Sequence, residues 1–182
     1  MGLWPGWPRN RHERAGFLLY GAAVAAARQP YFYAVLGVPD TLDGRFDLLS
    51  LFAFLLIERL RPEPAPGPAL AQAVFDAMFT DMDVNLREMG VGDLSVGKKV
   101  KAMWNAFHGR AIAYAAALAN GDEAALEAAI ARNVWRGGSP PPGSAAALAR
   151  LIAAVRADLD RQSLASLAEG KASFRPPVEM VS

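Results

Sequence analysis

A helical spacing of apolar residues governs almost the whole chain. Between residues 69 and 89 the apolar side chains fall at Leu70, Val74, Met78, Met82, Leu86 and Met89. Steps of three and four place them on one face of a helix, and Gln72, Asp76, Asp83 and Arg87 fall on the other. Nowhere does a sustained run of β-branched residues alternate with polar ones, so strands are not expected. The chain is 53% hydrophobic and 20% charged, enough apolar surface for a core. An all-α fold follows: a single compact helical domain of about six helices, with a proline-rich break and a flexible C-terminal tail.

The six helices are expected over residues 10–29, 41–61, 69–89, 95–119, 122–135 and 144–167, with a short helical turn near 31–36. Pro30 stops the first, because the residue before proline avoids helical angles. Asp40 or Thr41 caps the second and Asp122 the fifth. Residues 61–68, RPEPAPGP, read as a stiff linker. The expected organisation is a flexible N-terminus at 1–9, a helical domain at 10–136 and a Gly/Pro linker at 137–143. A C-terminal helix at 144–169 and a disordered tail at 170–182 complete it.

Two apolar stretches raise the question of a membrane. Residues 46–57, FDLLSLFAFLLI, make a helix of about 18 Å. The hydrocarbon core is about 30 Å thick, so this is read as a buried core helix. Residues 15–27, AGFLLYGAAVAAA, follow Arg9, Arg11 and Arg14 and end in A-x-A, which imitates a secretory signal. Glu13, the alanine-rich middle and the interruption at Tyr20-Gly21 argue for a first helix of the domain instead.

The chemistry available is narrow. No cysteine is present, which removes disulfides, thiol catalysis and thiolate metal sites. His12 and His108 are the only histidines; His108 reads as a hydrogen-bonded residue at the edge of its helix. Net charge is +1, so no global field attracts nucleic acid, and no specific nucleic-acid partner is expected. Residues 92–98, GDLSVGK, match part of a phosphate-binding loop. Lys99 follows where Ser or Thr would hold magnesium, and a helix stands where a strand is required. Asp76, Asp81 and Asp83 resemble the carboxylates of helical isoprenoid-diphosphate enzymes, which is the alternative function. Asp76 and Asp83 stand about 10 Å apart along a helix axis, and no second acidic helix is visible. Ser50, Ser95 and Ser163 lack the setting of a nucleophile. The reading is therefore a protein without catalytic residues, metal or cofactor.

What remains suits binding. Arg87, Lys98, Lys99 and Lys101 flank a glycine turn at Gly90 and Gly92, with Asp81, Asp83, Glu88 and Asp93 nearby. Cations near a helix N-terminus cost roughly a few tenths to 1 kcal/mol each. That tolerance suggests charge kept for a partner, unless Asp93 or Glu88 pairs with the lysines locally. Trp4 and Trp7, followed by arginines, could touch an anionic membrane.

Two blocks carry a family resemblance: YAVLGVPDTLDGRFDLLSL, from Tyr33, and ALAQAVFDAMFTDMDVNLREMGVGDLSVGKKVKAMWNAFHGRAIAY, from Ala69. They join the acidic helix, the GVGD turn and a lysine-rich helix start. Over residues 31–118 the chain resembles the ubiquinol–cytochrome c chaperone family, whose mitochondrial members assist assembly of the respiratory bc1 complex. The resemblance implies an all-helical domain without cofactor, binding newly made cytochrome b or other bc1 assembly components. A small helper protein and the ribosome are further partners of mitochondrial members. It also implies a cytoplasmic location, with peripheral contact at the inner face of the membrane. A histidine frequent in the second helix of the family is absent around Phe52-Ala53. The short chain and divergent proline-rich last third suggest a bacterial member. A holdase for so apolar a client needs an adaptable groove, for which Met78, Met82, Met89 and Met103 are the candidates.

Overall fold

The helix with least freedom to face water organises the rest. In a computed structural model that describes residues 11–136 and 138–177, α3 (Leu42–Leu60) is buried on nearly every side from Phe46 to Leu56. A helix apolar all round belongs at a centre. α3 touches α1 (Arg11–Ala27), α4 (Gly67–Glu88), α5 (Asp93–Asn120), α6 (Glu123–Val134) and α7 (Ser144–Asp160). Two five-residue helices, α2 (Pro30–Ala34) and α8 (Leu164–Ala168), complete the eight helical segments among the described residues. The fold is all-helical, as expected, and the six long helices correspond to the six read from the sequence. No described helix is long and apolar enough to cross a membrane.

Local signals act where the sequence places them. The Thr41 side chain accepts from Gly44 N–H at 3.1 Å, and Asp122 accepts from Ala125 N–H at 2.9 Å. Each satisfies one of the free donors at a helix start. Pro68 lies in the first turn of α4, where no N–H is needed, so α4 begins at Gly67, inside the expected linker. On α1, Ala15, Leu19, Ala23 and Ala27 are buried at four-residue intervals. The signal-like stretch is thus a packed helix face.

α1 and α4 approach closely because small residues line their seam. A Cβ built on Gly16 would lie 2.4 Å from the Ala73 Cβ. Higher on the seam, the Tyr20 hydroxyl donates to Asp81 Oδ2 at 2.6 Å. Burial foremost, and then this carboxylate, hold the phenol's pKa far above its usual value.

One charge is buried at the centre. Asp47 on α3 accepts from Arg110 of α5 and from Arg136 just beyond α6, whose Nη2 lies 2.8 Å from Asp47 Oδ1. Arg136 also reaches Asp43 at 3.2 Å. The hydrogen bond to Asp47 is the main reason the Arg136 pKa is raised. Three elements are pinned through this carboxylate.

The C-terminal part departs from expectation twice. The final helix is not continuous over 144–167: α7 ends at Asp160, and Ser163 caps α8 by accepting from Ser166 N–H. Arg59 of α3 explains the break, since its Nε and Nη2 donate to the carbonyls of Leu159 and Gln162 at 3.0 and 2.9 Å. Carbonyls at a helix end need such donors. The expected disordered tail is, over residues 170–177, laid against the bundle; residues 178–182 lie outside the described part. Phe174 meets Phe52 edge-on at 5.6 Å between centroids, and Arg175 grips Asp158. Gln162 exchanges two hydrogen bonds with the Ser173 backbone. α7 packs on α3 and α6, and Trp135 at the end of α6 is anchored by its Nε1, which donates to Gly37 O at 3.0 Å.

Candidate functional site

The turn between α4 and α5 is built by hydrogen bonds that close a helix. Gly90 N–H donates to Arg87 O at 2.9 Å and Val91 N–H to Leu86 O at 3.1 Å, with Gly90 at φ +79°. This pair of bonds requires a left-handed residue after the cap, the conformation glycine adopts without strain. Gly92 is different: at φ −62° and ψ 147° it is ordinary extended backbone, so only Gly90 of the two needs to be glycine.

Arg87 spans the turn. Its Nε donates to Asp83 at 2.6 Å and its Nη1 to Asp93. The hydrogen bond to Asp83, and less strongly that to Asp93, raise the guanidinium pKa. Arg87, Asp83, Gly90 and Asp93 therefore form one cluster. Asp81 does not join it, being held by Tyr20 on the far side of α4.

The lysines stand apart from this pairing. Lys98, Lys99 and Lys101 are exposed, and no ion pair among the described residues includes them. Asp93 is occupied by Arg87, and Glu88 forms no ion pair with the lysines among the described residues, so local pairing does not account for them. α5 begins at Asp93 rather than near residue 95, which puts Lys98 in its second turn. The dipole effect fades within the first turn, so the expected penalty largely disappears. At 100° per residue Lys98 and Lys101 share one side of α5, and Lys99 points elsewhere.

The four methionines do not line one groove. Met78 and Met82 are buried in the core, Met103 is half-buried against it, and Met89 is 58% exposed at the turn. Heptad-like spacing marks core methionine and groove methionine alike, so the sequence could not separate them.

The groove is aromatic and lies between α3, α4 and α5. An open cavity of about 460 Å³ is walled by Phe54, Ile57, Phe75, Trp104, Phe107 and His108. Phe75 stands 4.7 Å from Phe79 and 5.8 Å from Phe107 between centroids, and Trp104 lies over His108 at 4.0 Å. His108 Nδ1 donates to the Trp104 carbonyl at 3.0 Å, the edge-of-helix role its position suggested. Glu58 and Arg61, paired with each other, and Gln72 rim the cavity. Phe75 and Phe79 lie one step beside the α4 stripe, and Trp104 and His108 one step beside the core-facing Met103 and Phe107 of α5. Pairing the two flanks would have revealed the groove.

The aspartates of α4 diverge. Asp76 accepts from Gln72, Asp81 from Tyr20 and Asp83 from Arg87, so they share no centre. Residues 93–98, part of the phosphate-loop match, are helical, and the amides of Ser95 and Val96 are spent on Gly92 O. Trp4 and Trp7 lie outside the described residues.

Comparison with known proteins bears on the family and the fold. The model of the family described as ubiquinol-cytochrome C chaperone matches residues 34–174. It runs past the 118 limit of the sequence resemblance, through α6 and α7, as expected if they pack on α3. The ubiquinol-cytochrome-c reductase complex assembly factor 1 of Xenopus laevis is 23% identical over 171 residues, covering 91% of this chain and 82% of that protein. The crystal structure of a Cbp3 homolog from Brucella abortus superposes with a TM-score of 0.84 at 39% identity, covering 93% of each chain. With its model matched over most of the sequence and its fold shared, the ubiquinol–cytochrome c chaperone family is the one to which this chain belongs.

Proposed function

We propose that the protein is a non-enzymatic assembly chaperone of the ubiquinol–cytochrome c reductase complex and that it holds newly made cytochrome b. The aromatic groove between α3, α4 and α5 carries this reading. A client that will become a bundle of membrane helices presents apolar side chains at helical spacing. A groove walled by Phe75, Trp104 and Phe107 accepts such anchors from one helix face. Its aromatic walls bind apolar groups with little ordering cost, and its rim of Glu58, Arg61 and Gln72 leaves the polar side of the segment in water. The divergence of Asp76, Asp81 and Asp83 speaks against the diphosphate-enzyme alternative, which needs them to converge.

The expected result is specific. Trp104 is 43% exposed, so Trp104→Ala removes one wall of the groove with little loss of core packing. Central aromatic anchors are worth about 2 kcal/mol, so cytochrome b captured from native membranes should fall about thirty-fold. The melting temperature should be nearly unchanged. Undiminished capture by the variant would remove the groove as the client site.

A further inference from the structure

α5 carries a second stripe, opposite its buried residues, whose Trp104 and His108 also form the outer lip of the aromatic groove. Leu94, Lys98, Lys101, Trp104, His108 and Ile112 follow each other at steps of four, three, three, four and four, and all are exposed. The buried Val96, Phe107 and Tyr114 occupy the opposite side. The stripe is about 27 Å long. Leu94 is 93% exposed and Ile112 72%, with Trp104 43% exposed between them. No carboxylate occurs from residue 94 to residue 121, and Asp93 is taken by Arg87. The lysines of the stripe are exposed, and no ion pair among the described residues includes them.

We propose that this outward face of α5, with the turn that precedes it, docks on the surface of a membrane rich in anionic lipid. The charge is complementary to headgroup phosphates, and the unpaired lysines supply the attraction. Apolar groups flank the pair of lysines along one line, so a headgroup layer can meet both: phosphate at Lys98 and Lys101, the acyl boundary at Leu94, Trp104 and Ile112. Tryptophan favours that boundary because its ring is apolar and its N–H is polar. Met89, exposed beside Gly90, extends the apolar edge at the turn. An acidic protein helix would satisfy the lysines but leave Leu94 and Ile112 without apolar partners unless it carried a matching stripe. The inference does not depend on the identity of the client.

Flotation of the full chain with vesicles tests it, using phosphatidylcholine alone and phosphatidylcholine mixed with phosphatidylglycerol. The parent should float only with the anionic vesicles. Two lysines near an anionic surface account for about a thirty-fold change in partition, so K98Q/K101Q should lose that much. Leu94→Ser with Ile112→Ser should also lower binding, whereas Lys99→Gln, off the stripe, should bind nearly as the parent does. Equal melting temperatures would show that the fold is intact. The proposal is overturned if the parent ignores anionic vesicles, or if K98Q/K101Q binds as well as the parent, which would place the contact elsewhere in the chain. It is also overturned if the parent ignores vesicles while K98Q/K101Q lowers bc1 content in cells, since the face would then serve an acidic protein. Because the vesicles contain no protein, failure here leaves the client reading to its own test.

Discussion

Replacing Asp47 by asparagine should lower the melting temperature by about 6 to 12 °C. The carboxylate is buried, and Arg110, 13% exposed, has no other carboxylate partner among the described residues. Removing one member of a buried pair strands the other charge, at a cost of about 3 to 5 kcal/mol. Arg136 is 41% exposed and already touches Asp43, so it can turn to solvent and place the loss at the lower end. About 3 kcal/mol in a chain of this size corresponds to the temperature drop given above. The sign of the effect is tested by removing both charges: Asp47→Leu with Arg110→Met should recover most of the loss, because a buried pair often gives way to apolar residues without penalty. Thermal melts of the single and double variants check this. A single variant that melts like the parent would mean that Asp47 does not pin α3, α5 and α6.

Gly16→Val should be comparably damaging, through sterics rather than charge. The added Cβ would meet the Ala73 backbone carbonyl carbon at 2.7 Å as well as its Cβ, and a backbone cannot rotate away. α1 must then lift from α4, loosening the buried face of Ala15, Leu19 and Ala23. Overpacking of this kind costs about 1 to 3 kcal/mol. Gly21 on the same helix is the control, with nothing near its own Cβ position. Gly21→Ala should raise stability by up to about 1 kcal/mol, the ordinary helix-propensity gain. Denaturant unfolding of both variants decides the point, and similar effects at the two positions would contradict the close α1–α4 seam.

The sequence was most informative where the determining interactions are local. The apolar run at 46–57, the stripe from Leu70 to Leu86 and the Asp122 cap each depend on residues within a few positions. Asp47 was unreadable for the opposite reason: its partners stand 63 and 89 positions away. The segment at 170–177 looked like a tail because it is rich in proline and lacks periodicity. Its order comes from Phe174, Arg175 and Ser173 contacting residues of other elements. Asp81 was grouped with the charged turn through proximity in sequence, whereas a tyrosine on α1 holds it. The aromatic groove lies between three helices, so the apolar spacing of any one of them does not mark it. Pairing of Asp83 with Arg87 was legible, since i and i+4 neighbours meet on any helix.

The central claim, assembly of the bc1 complex through cytochrome b, is tested most directly in a strain lacking the gene. The measurement is the spectroscopic content of assembled bc1 complex in its membranes, taken alongside the cytochrome b transcript. Assembled complex should fall while the transcript stays level, and the intact gene should restore it. Normal bc1 content in the deletion strain would contradict the account.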